Sequence, residues 1–125
     1  MRTVEIPQSN WARTLNEFSA RHEGWLVSLD LRDARFGARR EIQNLPLVGI
    51  TAEPTALAND ITIAAARSAA DHVTHTVQSP TRLGVERTDD GADVGLEIES
   101  ADGTVAILRF RTVALPETVD GMVRR

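Results

Sequence analysis

From Trp25 to Phe110 the chain repeatedly alternates apolar and polar side chains with a period of two, a pattern that confines it to β-strands burying one face each. In the first such stretch Trp25, Val27, Leu29 and Leu31 share one side, and Leu26, Ser28, Asp30 and Arg32 share the other. A turn over Asp33 to Gly37 leads to a return strand, Arg39 to Gln43, which Leu45-Pro46-Leu47 interrupts. Pro46 has no amide hydrogen for a ladder, so a bend or a sheet edge is expected there. Val48, Ile50 and Ala52 resume the alternation, and Glu53 to Asn59 reads as a loop. Residues 61–66 pull two ways: Ile61-Thr62-Ile63 favours a strand, while the alanines that follow suit a helix. The strand is the reading adopted. Val73, His75 and Val77 make a further strand, stopped by Ser79-Pro80, and Leu83 and Val85 begin another that ends at Asp89-Asp90-Gly91.

The last hairpin can be placed in register. With Asp102-Gly103 as a two-residue loop, Glu97 and Glu99 would share a face with Leu108 and Phe110. With Ala101-Asp102-Gly103 as a three-residue loop and Gly103 left-handed, Val94, Leu96 and Ile98 face Ala106, Leu108 and Phe110. The second register buries a clean apolar surface and is the one predicted. It leaves Val105, Ile107 and Arg109 on the outer face with Glu97 and Glu99, where Arg109 is placed to reach Glu97.

Ahead of the strands, Ser9 to His22 reads as a helix. Trp11, Leu15 and Phe18 fall on one stripe, Ser9 is positioned to cap the first turn, and Gly24 to end the last. Arg21 and His22 sit in the final turn, where positive charge suits the helix dipole. The prediction is a mostly β, α+β fold: an N-terminal helix packed on a strongly bent antiparallel sheet or small barrel of six to seven strands. The connections are too short for the crossover helices of a parallel sheet. At 125 residues the chain has the length of one domain, with a helix at about 9–22, a β-rich region at about 25–113 and a C-terminal tail at about 114–125.

Composition removes several chemistries. The chain has no cysteine, hence no disulfide, thiolate ligand or thiol nucleophile. Its 14 basic residues are all arginine, so a Schiff base and a complete phosphate-loop motif are also excluded, and tyrosine is absent. No apolar run approaches the roughly 18 residues of a membrane span, and the first residues lack the apolar core of a signal peptide, so a cytoplasmic setting without membrane contact is expected. A net charge of -4 disfavours nucleic acid, which draws most of its binding energy from basic surfaces.

Candidate sites are few. Arg32, Arg35, Arg39 and Arg40 flank the turn at Phe36-Gly37 and are placed to surround one loop, as a solvated rim or as a contact for phosphate or an acidic partner. His72 and His75 are close in sequence but point to opposite faces of a strand, so they cannot share a metal without partners such as Asp71 or Glu99. The acidic run from Glu86 to Asp102 lacks calcium-loop spacing, and Glu97 with Glu99 reads as a solvated face before an acid/base pair. Ser28, Ser68, Ser79 and Ser100 lack the context of a nucleophile elbow, and His22 has no paired acid in sequence that would suggest a triad. Trp11 and Trp25 read as anchors between helix and sheet. No catalytic residue, metal ligand or cofactor is assigned.

The stretches His22-Glu23-Gly24-Trp25-Leu26-Val27, Leu45-Pro46-Leu47-Val48-Gly49-Ile50-Thr51-Ala52, His72 to Arg82 and Leu96 to Phe110 together resemble an uncharacterised bacterial family, domain of unknown function 5335. The resemblance runs from about Ile6 to Gly121. It implies a free-standing bacterial domain; the family has no assigned activity, so no residue role comes with it.

The functional expectation is a non-enzymatic cytoplasmic domain acting by protein contact or self-association, through a sheet edge or the outer face bearing Val105 and Ile107. One alternative is a small barrel that binds nucleic acid or an acidic partner through Arg32, Arg35, Arg39, Arg40 and an exposed tryptophan. Another is a metal-dependent hydrolase built on His72 and His75.

Overall fold

The computed structural model describes residues 2–54 and 59–111. A short strand, β1 (Arg2–Glu5), passes through a 3-10 turn at Gln8–Asn10 into helix α1 (Trp11–His22). Seven strands follow: β2 (Leu26–Asp33), β3 (Gly37–Pro54), β4 (Asn59–Ser68), β5 (Asp71–Val77), β6 (Pro80–Arg87), β7 (Asp93–Ser100) and β8 (Val105–Phe110). Residues 55–58 of the expected Glu53 to Asn59 loop, and the expected tail at 114–125, lie outside the described residues.

The helix begins two residues later than the sequence suggests. Ser9 falls in the 3-10 turn, and neither it nor Asn10 caps α1 with a side chain. The entry is fixed instead by Trp11, whose Nε1–H donates to the Ile6 carbonyl at 2.8 Å, and by the Asn10 amide donating to Pro7 at 2.9 Å. Trp11, Leu15 and Phe18 are buried as the stripe predicts, and His22 extends it by one turn. A 12-residue helix gains its stability from such packing, not from propensity.

All eight strands join one antiparallel sheet in the order β1-β6-β7-β8-β2-β3-β4-β5. Only Gln78 and Ser79 separate β5 from β6, yet the two lie six strand positions apart. A flat sheet would put them roughly 29 Å apart, at about 4.8 Å per strand. Three peptide steps, from Val77 to Pro80, reach about 10 Å. The link closes only because the sheet folds back over itself, so the strong bend follows from connectivity. The edges β1 and β5 do not pair, and the sheet stays open; the barrel alternative is not realised.

Among the described residues eight strands replace the expected six or seven. β1 escaped notice because four mostly exposed residues carry no legible alternation. The stretches 39–43 and 48–52 prove to be one strand, β3, which bends around Asn44 (φ +52°) and exchanges partner β2 for β4. The break expected at Pro46 falls two residues earlier, at Asn44, and Pro46 itself pairs with Leu26. Between Leu47 and Gly49 the register against β4 shifts, and Val48 is the extra residue. It is 54% exposed, so the alternation that placed Val48 inside fails by one position before Ile50 returns to the core.

Residues 61–66 lie within β4, as read. The final hairpin has the predicted register: Leu96 pairs with Leu108, Ile98 with Ala106, and Gly103 is left-handed at φ +92°. One expectation fails beside it. Arg109 reaches Glu86 across Gly95, at 3.3 and 3.4 Å, not Glu97. Ile107, although on the outer face, is only 4% exposed within the single chain.

The concave face and α1 enclose the core. Phe18 stacks on Phe110 with ring centroids 5.6 Å apart, and Trp25 packs edge-on to Phe110 at 5.0 Å. Trp25 is nevertheless 44% exposed, contrary to its reading as a core anchor. It precedes β2 and closes the rim of the aromatic cluster, with its backbone carbonyl accepting from the Leu47 amide.

Candidate functional site

Where the bent sheet fails to close, the tips of the β2–β3 and β7–β8 hairpins stand opposite β5. Between them lies a cleft of about 280 Å³, with Leu31, Val77 and Ala106 at its apolar base and Phe36, Arg39 and His75 among its walls. The two hairpin tips are tied by one carboxylate. Asp33 closes the concave side of β2, where it is buried, and its Oδ1 accepts from the Arg35 amide at 2.7 Å and from Arg35 Nε at 2.8 Å. Asp33 Oδ2 accepts from Arg35 Nη2 and, at 3.0 Å, from Thr104 Oγ1 in the other hairpin. The side-chain hydrogen bonds from Arg35 hold the Asp33 carboxyl far below the usual carboxylate range and raise the Arg35 pKa in turn. Asp102, which accepts from the Thr104 amide at 2.9 Å, stands 3.8 Å from Arg35.

Arg39 projects from the same face as Leu31, its pairing partner. Its guanidinium lies 4.9 Å from the centroid of the exposed Phe36 ring, and its Nε is 3.1 Å from Glu41. His75 meets this group from β5. Burial lowers the His75 pKa; Glu41 opposes that shift and Arg39 adds to it.

The four arginines do not gather around one loop. Arg35 and Arg39 face the cleft, whereas strand alternation sends Arg32 and Arg40 to the convex side. There Arg40 donates to Asp30 through Nε at 2.7 Å and Nη2 at 3.1 Å, and Arg32 borders a shallow depression with Ala38 and Val105. Three of the four are thus neutralised by Asp33, Glu41 and Asp30. A phosphate would have to compete with each of those carboxylates. His72 is exposed and opposite Ala66 while His75 is half-buried and opposite Ile63, so the two point apart. Among the described residues no three His, Asp or Glu side chains stand close enough to hold a metal ion.

One pairing was not legible. His22 donates from Nδ1 to the Phe18 carbonyl at 2.8 Å and places Nε2 3.5 Å from Asp93, 71 residues further along. Asp93 is itself held by Arg21 and Arg87, both at 3.1 Å. Packed against Phe18, Trp25 and Phe110, the imidazole is a buried joint between α1 and β7, not a presented base.

Beside the cleft runs the free edge of β5. Among the described residues its one partner is β4, and from His72 to Val77 it has no proline, no arginine and no carboxylate. His72, Thr74 and Thr76 are exposed; Val73 and His75 are half-buried. The opposite edge differs: β1 is four residues long and bounded by Arg2 and Glu5, the latter paired with Arg82 at 2.8 Å. Long edges without charge, proline or bulge recruit other strands, and proteins ordinarily protect them.

A family model described as a family of unknown function, DUF5335, matches residues 2–118. An uncharacterised protein of Aquifex aeolicus (strain VF5) is 28% identical over 118 residues, which cover 94% of this chain and all of that protein. No solved structure matches significantly.

Proposed function

This chain belongs to the family of unknown function DUF5335, and we propose that it is a cytoplasmic contact domain, acting not by catalysis but by binding another polypeptide along the free edge of β5. The observation that carries this reading is the β5 edge, unpaired among the described residues and free of charged side chains from His72 to Val77, next to an apolar-based cleft. An added strand would take up the unpaired amides and carbonyls of β5, and main-chain hydrogen bonds supply affinity to any extended segment. Alternate side chains of that segment would lie over His75, Phe36 and Val77, which gives the cleft the role of selecting among partners. The outer face bearing Val105 and Ile107 is a weaker candidate, because Ile107 is already covered.

A library of randomised peptides displayed against the immobilised protein tests the reading. Selected peptides should protect the amides of residues 71–77 from hydrogen exchange and leave β1 unchanged. Peptides that bind only at other surfaces, or no selection at all, would remove it.

A further inference from the structure

We propose that the segment occupying the β5 edge is β5 of a second copy, paired antiparallel about a two-fold axis passing beside Thr74. The inference rests on the edge-binding reading and specifies its partner. In an antiparallel pair, facing residues turn their N–H and C=O groups the same way, toward or away from the partner strand. Along one strand that direction alternates, so a strand meeting its own copy can match residues only across an axis through a residue, never through a peptide bond. An axis at Thr74 pairs all seven residues 71–77; one at Val73 or His75 pairs five of them within the strand, 71–75 or 73–77.

The Thr74 register is also chemically matched. Thr74 faces Thr74, His72 faces Thr76, Val73 faces His75 and Asp71 faces Val77, so no two carboxylates or guanidinium groups meet. Threonine pairs already occur one strand inward, where Thr62 Oγ1 and Thr76 Oγ1 lie 3.3 Å apart. The second copy's Val73 would sit beside His75 on the cleft side, close to the Phe36 ring, which is 45% exposed in the single chain. Such a contact closes on itself: it uses both β5 edges and leaves the short, charged β1 strands at the ends of a sixteen-stranded sheet, eight from each copy.

Sedimentation of the full chain over a range of concentrations should show a reversible dimer. Thr74 is exposed, so replacing it leaves the core intact, while two like charges would meet at the axis. Thr74→Glu and Thr74→Lys should each weaken dimerisation by roughly tenfold or more, with Thr74→Ser remaining dimeric. An equimolar mixture of the Glu and Lys variants should recover the dimer. Circular dichroism at high dilution should show both variants folded as the parent. A parent chain that stays monomeric at every concentration, a Thr74→Glu variant that dimerises like the parent, or a mixture that fails to recover would each overturn the proposal. A monomer that still selects peptides onto residues 71–77 rejects the second copy and keeps the edge reading; a monomer that selects none rejects both.

Discussion

Two glycines in the last hairpin do different work. Gly103 sits at φ +92°, and a Cβ there would meet nothing within 4 Å, so its replacement carries backbone strain alone. Gly103→Ala should cost about 1–2 kcal/mol in urea denaturation. At Gly95 the conformation is ordinary, but a Cβ would lie 1.9 Å from the Leu108 carbonyl oxygen, so β7 and β8 would have to separate. Gly95→Ala should therefore cost more, about 3 kcal/mol, and a Gly95 variant no worse than Gly103→Ala would contradict this close approach. Gly103 was legible because turn chemistry is local. Gly95 was not, since what forbids a side chain there belongs to another strand. The same holds for His22, whose acidic neighbour Asp93 arrives through the fold. Burial pushes the His22 pKa below its ordinary 6.5, against the raising effects of Phe18 and Asp93. The unfolded chain then binds the proton more readily, so stability is full above about pH 6.5 and declines as pH falls below it. Burial shifts His75 the same way. The urea midpoint should drop between pH 7.5 and pH 5.5, and His22→Leu should make that slope shallower; an unchanged slope would mean that His22 carries no such linkage.

At the scale of elements, what decides each outcome is whether one face is continuously buried. α1 was legible because Trp11, Leu15 and Phe18 keep helical spacing against the sheet, and β8 because its partner repeats the same alternation. β3 was only half legible: its pattern is sound on either side of the bend, but the bulge at Val48 moves one residue outward, and a period-two reading has no sign of that. The candidate site fared similarly. Arg39 and His75 were named from the sequence, yet their meeting over Phe36 depends on β5 folding back across β3, and strand alternation separated Arg32 and Arg40 from them. Phe18 is one of the joints between helix and sheet, fully buried and packed on Phe110 and His22. Phe18→Ala should cost about 3–5 kcal/mol. Because α1 has little stability without that contact, its amides should lose hydrogen-exchange protection first, ahead of those in β7 and β8.

For the whole molecule, the bend is enforced at one point. Ser79 lies in the two-residue link between β5 and β6 with φ +51°, a conformation unfavourable for a residue with a side chain. Its amide donates to Asp60 Oδ1 at 3.2 Å, at the start of β4, and its carbonyl accepts from the Ala101 amide at 2.9 Å, in the β7–β8 turn. One residue thus ties both ends of the folded sheet, and the cleft between β5 and the hairpin tips keeps its shape through that tie. Glycine adopts the same backbone without strain and keeps both hydrogen bonds, so Ser79→Gly should be close to neutral in stability. Proline fixes φ near -65° and has no amide hydrogen, so Ser79→Pro should destabilise by about 3 kcal/mol. If the link sets the curvature, the loss should spread: hydrogen exchange should rise together in β5, at the start of β4 and around Ala101, while α1 keeps its protection. Equal stability of the two variants, or a loss confined to residues 78–80, would show that the bend is set by core packing across the concave face and that the link merely follows it.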